Sequence, residues 1–305
     1  MIKSLSNYWD LALQTIEQLR PGTSSLTSSA EWLAALRPTS IELYQSYRKD
    51  DIQVDYQRPE VQDAYLLRYF FPYCELSYQT FGLLEGANRN VCLNAERIVL
   101  FGGGPGPEIV GLLEWKATQP PQSTALVQFI IVDKAAESWE WWHRDLEKFL
   151  NTTRCDFRVE IIGSNECCSP QEAYNFGTPP LRTLFVAQNL LNEFSELDGK
   201  NWIGEILNVL NQSEDCGLLV VGATNYPTSS SLYRSLEHDA TSRHLRTSRF
   251  EVRGKIGSNG VPAIIREHFH NHDQCRPLSN LNDRLFEGFF VEGPTKVDRR
   301  RPPCN

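Results

Sequence analysis

The eight residues Phe101-Gly102-Gly103-Gly104-Pro105-Gly106-Pro107-Glu108 follow the largely apolar run Arg97-Ile98-Val99-Leu100 and open a helix-like run through Ile109, Val110, Leu112 and Leu113. A strand that turns on glycines into a helix brings bare backbone N–H groups and the positive end of the helix against a ligand, the arrangement that holds a nucleotide-like cofactor. The spacing narrows the choice. The dinucleotide pattern GxGxxG fails, because its third glycine falls on Pro107 or on Ile109. The phosphate loop GxxxxGK[ST] fails because no Lys-Ser or Lys-Thr pair follows. What fits is GxGxG at Gly102, Gly104 and Gly106, with Gly103 inside the same turn.

In an open α/β sheet the ligand lies outside the carboxyl ends of the strands, so each strand end is a place to look. The run Leu126 to Val132 is almost wholly apolar and ends in Asp133-Lys134. An acidic side chain there accepts both hydroxyls of a ribose through its two oxygens, which makes Asp133 the ribose candidate; N-capping of the next helix is the structural alternative. Polar residues also close the third strand, Ser164 and Asn165, and the fourth, Gln188 and Asn189.

These positions need a scaffold, and strand and helix patterns alternate from Val91 onward. Strands are expected at Arg97 to Phe101, Leu126 to Val132, Phe157 to Ile162, Leu184 to Ala187 and Leu218 to Val221. Between them lie helices over Pro107 to Trp115, through Trp139, Trp142, Leu146, Phe149 and Leu150, and through Trp202, Ile203, Ile206, Leu207 and Leu210. Such alternation implies right-handed crossovers and an α/β fold with a doubly wound, mostly parallel sheet covered on both faces. The segments Arg249 to Ile256, Val261 to Ile265 and Phe286 to Val291 read as strands forming an antiparallel C-terminal edge. Residues 1–90 carry helical signals and form an N-terminal helical cap region, with Pro21 to Ser29 as a link; residues 91–305 form the cofactor-binding domain.

The GxGxG turn after the first strand resembles motif I of the class I S-adenosylmethionine-dependent methyltransferases, whose sheet also ends in a reversed hairpin. The resemblance spans roughly residues 91–292. It implies S-adenosyl-L-methionine as cofactor, held by Gly102, Gly103, Gly104 and Gly106 at its amino-acid end, by Asp133 at the ribose, by Ser164 or Asn165 beside the adenine, and by Gln188 and Asn189 facing the methyl group. One position departs from the pattern. Leu100 stands where the family has an acid that contacts the cofactor's amino group, and Glu108, just past the turn, is the substitute at hand. The run Leu184 to Phe194 and the tyrosine-rich segment Tyr65 to Tyr73 are also similar to methyltransferase-like proteins of mitochondrial small-ribosomal-subunit assembly.

The resemblance therefore implies transfer of a methyl group to an acceptor the sequence does not name. The alternative is a non-catalytic module of the same fold acting in assembly of a larger complex. The fourth strand ends in Ala187-Gln188-Asn189-Leu190-Leu191-Asn192 and not in an NPPY-type amide-methylating site, no Pro-Cys nucleophile is suited to pyrimidine carbon methylation, and no dedicated catalytic residue is assigned. Arg68, Tyr69 and Tyr73, just before the first strand, and His238, beyond the fifth, are the candidates for binding the acceptor. His268, His270 and His272 alternate and would share one face of a strand near Asp273 and Cys275, but the polar run Asn271 to Gln274 favours an exposed loop or edge strand, so no metal is assigned.

A net charge of -8 argues against sequence-blind attraction to nucleic acid and favours a small-molecule acceptor slightly over RNA or protein. The basic residues Lys296 and Arg299 to Arg301 read as a solvated tail. No apolar run reaches the roughly 18 residues of a membrane span, and the eight cysteines include no CxxC pair. A cytoplasmic protein with reduced cysteines is expected. Oligomeric state stays open.

Overall fold

The computed structural model describes residues 2, 5–19, 29–47, 54–120, 126–153, 158–165, 169–176, 182–213, 216–223, 227–253, 260–271 and 286–294. Six α-helices among them precede the first strand: α1 (Leu5–Leu19), α2 (Ser29–Ala35), α3 (Arg37–Ser46), α4 (Pro59–Tyr65), α5 (Phe71–Gly82) and α6 (Gly86–Asn94). Then follow β1 (Arg97–Phe101), α7 (Pro107–Lys116), β2 (Leu126–Val132), α8 (Glu140–Thr153), β3 (Arg158–Ser164), α9 (Pro170–Asn175), β4 (Thr183–Gln188), α10 (Glu196–Gln212), β5 (Gly217–Ala223), α11 (Pro227–Ser242), β6 (Arg246–Val252), α12 (Ala263–His268) and β7 (Phe286–Glu292). Between α4 and α5 the chain stays helical through a π-helical segment, Leu66–Phe70. Pro72 accounts for it: proline has no N–H to continue the ladder and its ring crowds the carbonyl four residues back, so the turn before it widens.

The strands form one sheet in the order β3-β2-β1-β4-β5-β7-β6. The first five are parallel, with β1 between β2 and β4. β7 runs antiparallel to both β5 and β6, the reversed edge the sequence predicts. The order reverses beside β1, which places the crevice at the ends of β1 and β4.

Alternation along the central strands divides the core in two. Ile98, Leu100, Ile131 and Val186 face one side, with α7, α8 and the helices before β1. Val99, Phe101, Ile130 and Phe185 face the other, with α10 and α11. The N-terminal helices thus share the core of one sheet face. Trp9 of α1 stacks on Phe71 of α5, and the Tyr8 hydroxyl donates to Glu114 Oε1 of α7 at 2.8 Å.

Two parts of the C-terminal reading are corrected. Val261 to Ile265 is not a strand; the chain there enters α12, with Ile265 buried. The β-branched pair Ile264-Ile265 suggests a strand, and a six-residue helix is too short to show a 3.6-residue period. The sixth strand starts three residues earlier than expected, at Arg246, and ends at Val252. The Pro21–Ser29 link (except Ser29), Phe157, His272, Asp273, Cys275 and the basic tail lie outside the described residues.

The packing of α7 on α5 depends on one glycine. A Cβ on Gly111 of α7 would lie 2.4 Å from Ser77 Cβ and 2.7 Å from the Cys74 carbonyl oxygen on α5. Alanine in a helix otherwise gains about 1 kcal/mol over glycine. Gly111→Ala is nevertheless expected to lower the unfolding free energy in urea by about 1–3 kcal/mol through overpacking; an increase would show that α5 and α7 are not in this contact.

Candidate functional site

β1 is buried along its whole length, and the turn that follows has the conformation its glycines allow. Gly102, Gly104 and Gly106 all have positive φ, at 64°, 46° and 75°, a region in which a Cβ is strained. The GxGxG spacing is this alternation. Gly103 has another reason: a Cβ there would lie 2.9 Å from Leu100 Cβ and 3.2 Å from Ile131 Cγ2.

The turn is held from three sides. The Gly102 N–H donates to the Val132 carbonyl (2.9 Å), continuing the β1–β2 ladder, and the Gly106 N–H donates to Gly103 O (2.7 Å). From α8, the Trp142 indole donates to Pro105 O (2.9 Å) and the His143 imidazole bonds Gly104 O at 2.8 Å through Nε2. Burial lowers the His143 pKa to about 4, and a carbonyl only accepts, so the ring is neutral with its proton on Nε2. From β2, Asp133 Oδ2 accepts the Gly104 N–H (2.9 Å) while Oδ1 accepts the Ala135 N–H (2.7 Å). Asp133 therefore braces the turn. Each of its oxygens keeps a further lone pair. Its pKa is raised, by desolvation first, with the two N–H bonds pulling the other way.

Two cavities adjoin this turn. The larger, about 370 Å³, is lined by Phe101, Gly102, Asp133, Asn165, Phe194 and Trp202 among others. It has flat apolar walls with an acidic corner and a volume within the range of small-molecule sites. The smaller, about 50 Å³, lies over the start of α7 and is lined by Tyr47, Tyr65 and Tyr73 from the N-terminal helices, by Gly102, Gly103 and Glu108, and by Gln188, Asn189, Asn192 and Glu193 after β4. Gly102 and Glu193 line both. A third hollow, about 510 Å³, lies between the N-terminal helices and Lys134, beside the larger cavity.

The small cavity is acidic. Glu108 is 4% exposed, and its Oε2 has no hydrogen-bond partner. Burial, with a further contribution from Asp133, pushes its carboxyl up to about 8, although the start of α7 favours negative charge. Asn192 Oδ1 is likewise buried without a partner. Glu193 is open to solvent over more than a third of its surface, so the walls desolvate it only in part; its carboxyl lies above the ordinary range, by desolvation first and the nearby Asp133 second.

The sequence-predicted residues divide by position. Asp133 and Asn165 line the larger cavity; Ser164 is buried one residue earlier, its carbonyl accepting the Asp133 N–H at 3.2 Å. Gln188 and Asn189 line the smaller one. Gln188 Oε1 accepts the Ser77 hydroxyl (2.7 Å), and Asn189 turns left-handed at φ 60°, which its short polar side chain tolerates. Gly104 and Gly106 shape the turn without lining either cavity. Tyr73 reaches the smaller cavity, whereas Arg68 and Tyr69 are buried in the helical layer, with the Arg68 guanidinium over the Tyr44 ring and bonded to Ser40. His238 is exposed on α11 and lines neither cavity. His270 is buried, bonded through Nε2 to Leu67 O, and among the described residues no three His, Cys, Asp or Glu cluster as a metal site would need.

Sequence reasoning did not assign Tyr47, Asn192, Glu193 or Trp202 to a site, and it read Trp142 as a core position. Asn192-Glu193 was visible at the end of the run after the fourth strand. Tyr47 carried no signal.

No family model matches the chain, and no curated protein does. Among solved structures it is similar to a precorrin-6y C5,15-methyltransferase from Geobacter metallireducens, at 9% identity and TM-score 0.39, over 68% of this chain and 87% of that one. An O-methyltransferase family protein from Burkholderia thailandensis superposes at 13% identity and TM-score 0.43, over 78% of this chain and 60% of that one. An O-methyltransferase from Bacillus cereus in complex with SAH superposes at 14% identity and TM-score 0.37, over 68% and 79%. The fold assignment stands on strand order and register: with its parallel β3-β2-β1-β4-β5, its reversed β7-β6 edge and its glycine turn after β1, the chain has the class I methyltransferase fold.

Proposed function

We propose that the protein binds S-adenosyl-L-methionine across the glycine turn and transfers its methyl group to an acceptor, a small molecule rather than RNA or protein. The observation that carries this reading is that Gly102 and Glu193 belong to both cavities. One elongated ligand lying over the turn would have a small charged end against Glu108 and a flat end between Phe101, Phe194 and Trp202. S-adenosyl-L-methionine has that shape, and when bound it supplies a methyl group already activated on a sulfonium. The glycine turn gives the close backbone approach, Asp133 keeps lone pairs for a ribose, and Asn165 offers a polar side chain at the wall. The acidic net charge of the chain supports a small acceptor over RNA. Cys74 and Cys92 are buried thiols whose pKa values burial raises, in keeping with a reducing compartment such as the cytoplasm. Among the described residues no helix is long and apolar enough to cross a membrane.

Calorimetric titration of the purified protein should give saturable one-to-one binding of S-adenosylmethionine and S-adenosylhomocysteine and none of NADH. Gly102→Trp should abolish it with an unchanged circular dichroism spectrum. Saturation by NADH alone would overturn the cofactor class. With the methyl-labelled cofactor, label should pass into a small-molecule fraction of a cell extract with the wild type and not with Gly102→Trp; cofactor binding without any transfer would contradict the enzymatic reading.

Asp133→Ala removes a charged acceptor from two backbone N–H groups, a loss of about 1.5–3 kcal/mol per charged bond at most. S-adenosylhomocysteine affinity should fall by about 10- to 100-fold, and thermal unfolding should shift to lower temperature. An unchanged affinity would mean that Asp133 neither shapes the turn nor meets the ligand.

A further inference from the structure

The hollow between the N-terminal helices and Lys134, about 510 Å³, is larger than either cavity at the glycine turn, and the cofactor reading leaves it without a task. Its volume lies in the range of small-molecule sites. The lining sorts by chemistry. Leu43 of α3 and Val61 of α4 are buried, and Val54 packs against them, which gives the hollow an apolar wall. Thr39 and Ser46 of α3 add hydroxyls. The remaining side chains are charged, two of each sign: Glu42 and Asp55, Arg58 and Lys134.

These four charges are not equivalent. Arg58 is engaged already, with Glu42 at 3.4 Å and Glu60 at 2.9 Å. The Asp55 carboxylate accepts the Gln57 N–H at 3.0 Å, and Lys134 acts on Asp133 and Glu193 through space without bonding either. Among the described residues neither Asp55 nor Lys134 forms an ion pair, with the other or with any third group. Both are exposed, so water holds their charges. A wholly apolar ligand would strip that water and replace none of its bonds. An anion would meet Asp55 and Glu42; a cation would meet Lys134 and Arg58. A molecule with one charge of each sign on an apolar body satisfies every part of the lining.

We propose that this hollow is a second ligand site and that its ligand is a small zwitterion of the amino-acid type. Its carboxylate meets Lys134, its ammonium meets Asp55, and its apolar side chain lies against Leu43, Val54 and Val61. The flexible four-carbon stem of Lys134 lets the ammonium follow a carboxylate, and the Thr39 hydroxyl can serve either end. The site adjoins both cavities of the turn. Lys134 also lines the larger one; Ser46 precedes Tyr47, which lines the smaller one and touches the hydroxyl of Tyr56, the residue after Asp55. On the cofactor reading above, this zwitterion is the class of molecule offered to the methyl group; its binding does not depend on that reading.

The test titrates the full chain, by calorimetry and saturation-transfer NMR, with L-phenylalanine, with phenethylamine, which lacks the carboxylate, and with hydrocinnamate, which lacks the ammonium. Wild type should bind L-phenylalanine saturably and each single-charge analogue about 10-fold more weakly or worse. Lys134→Met should weaken L-phenylalanine about 10-fold without weakening phenethylamine. Asp55→Asn, whose side-chain oxygen still accepts the Gln57 N–H, should weaken L-phenylalanine to a similar degree without weakening hydrocinnamate. Thr39→Trp, which fills the hollow from α3, should abolish binding of all three with an unchanged circular dichroism spectrum. The proposal is overturned by the absence of saturable L-phenylalanine binding at about 10 mM, by equal affinity for it and either analogue, or by wild-type binding in Thr39→Trp. Binding of L-phenylalanine with this pattern, but none of S-adenosylhomocysteine, would uphold the site and strike only the cofactor reading.

Discussion

Everything at this site depends on the chain reversing between β1 and α7 in a conformation that side chains disfavour. Three left-handed glycines let Phe101 lead into Pro107 with the turn flat against the strand ends. The reversal is fixed from outside: β2 bonds it through Val132 and Asp133, and α8 bonds its carbonyls through Trp142 and His143. A neutral imidazole and an indole are suited to that task, since each donates one N–H from a buried position without bringing charge. The turn is thus held by bonds from the protein itself, an arrangement that lowers the entropic cost of binding on a backbone cradle.

Burying acids around the turn has a cost to the fold. Glu108, Asp133 and Glu193 surround the turn, each with its carboxyl raised, and Asp133 contributes to the shift of both others. Their desolvation and mutual repulsion destabilise the fold, offset in part at Asp133 and Glu193 by the nearby Lys134. Perturbed acids clustered in a cleft mark functional sites more often than structural ones. The tyrosine layer from the N-terminal helices strengthens the effect by excluding water, with the Tyr47 and Tyr56 hydroxyls in direct contact and both pKa values pushed well up by burial. Cap and sheet therefore act on one another through the site: the helices before β1 supply the low-polarity walls, and α7 and β4 supply the groups those walls perturb.

The central fold was legible because its signals are local. β1 and β2 have the bounds the apolar runs indicate, and the glycine spacing reports directly on three φ values. Asp133 was legible from its place at a strand end, although its bond to Gly104 was not, since that pairing joins residues 29 apart in sequence. The cap contribution was not legible: Tyr47, Tyr65 and Tyr73 meet at the cavity only after α3, α4 and α5 pack together, and tyrosines on helices read equally well as core. The same ambiguity led Arg68 and Tyr69 to be expected at an acceptor site when they are buried beside Tyr44 and Ser40. Helix α12 was misread because six residues around two isoleucines carry no usable period.

The most direct measurement is the amide spectrum of ¹⁵N-labelled protein during addition of S-adenosylhomocysteine. Binding across the turn should shift the resonances of Gly102, Gly103, Gly104, Glu108 and Asn189 in a saturable way, with little change at β6, the outer strand of the reversed edge. Saturable shifts confined to other surfaces, or none at millimolar ligand, would contradict the assignment of this turn as the cofactor site.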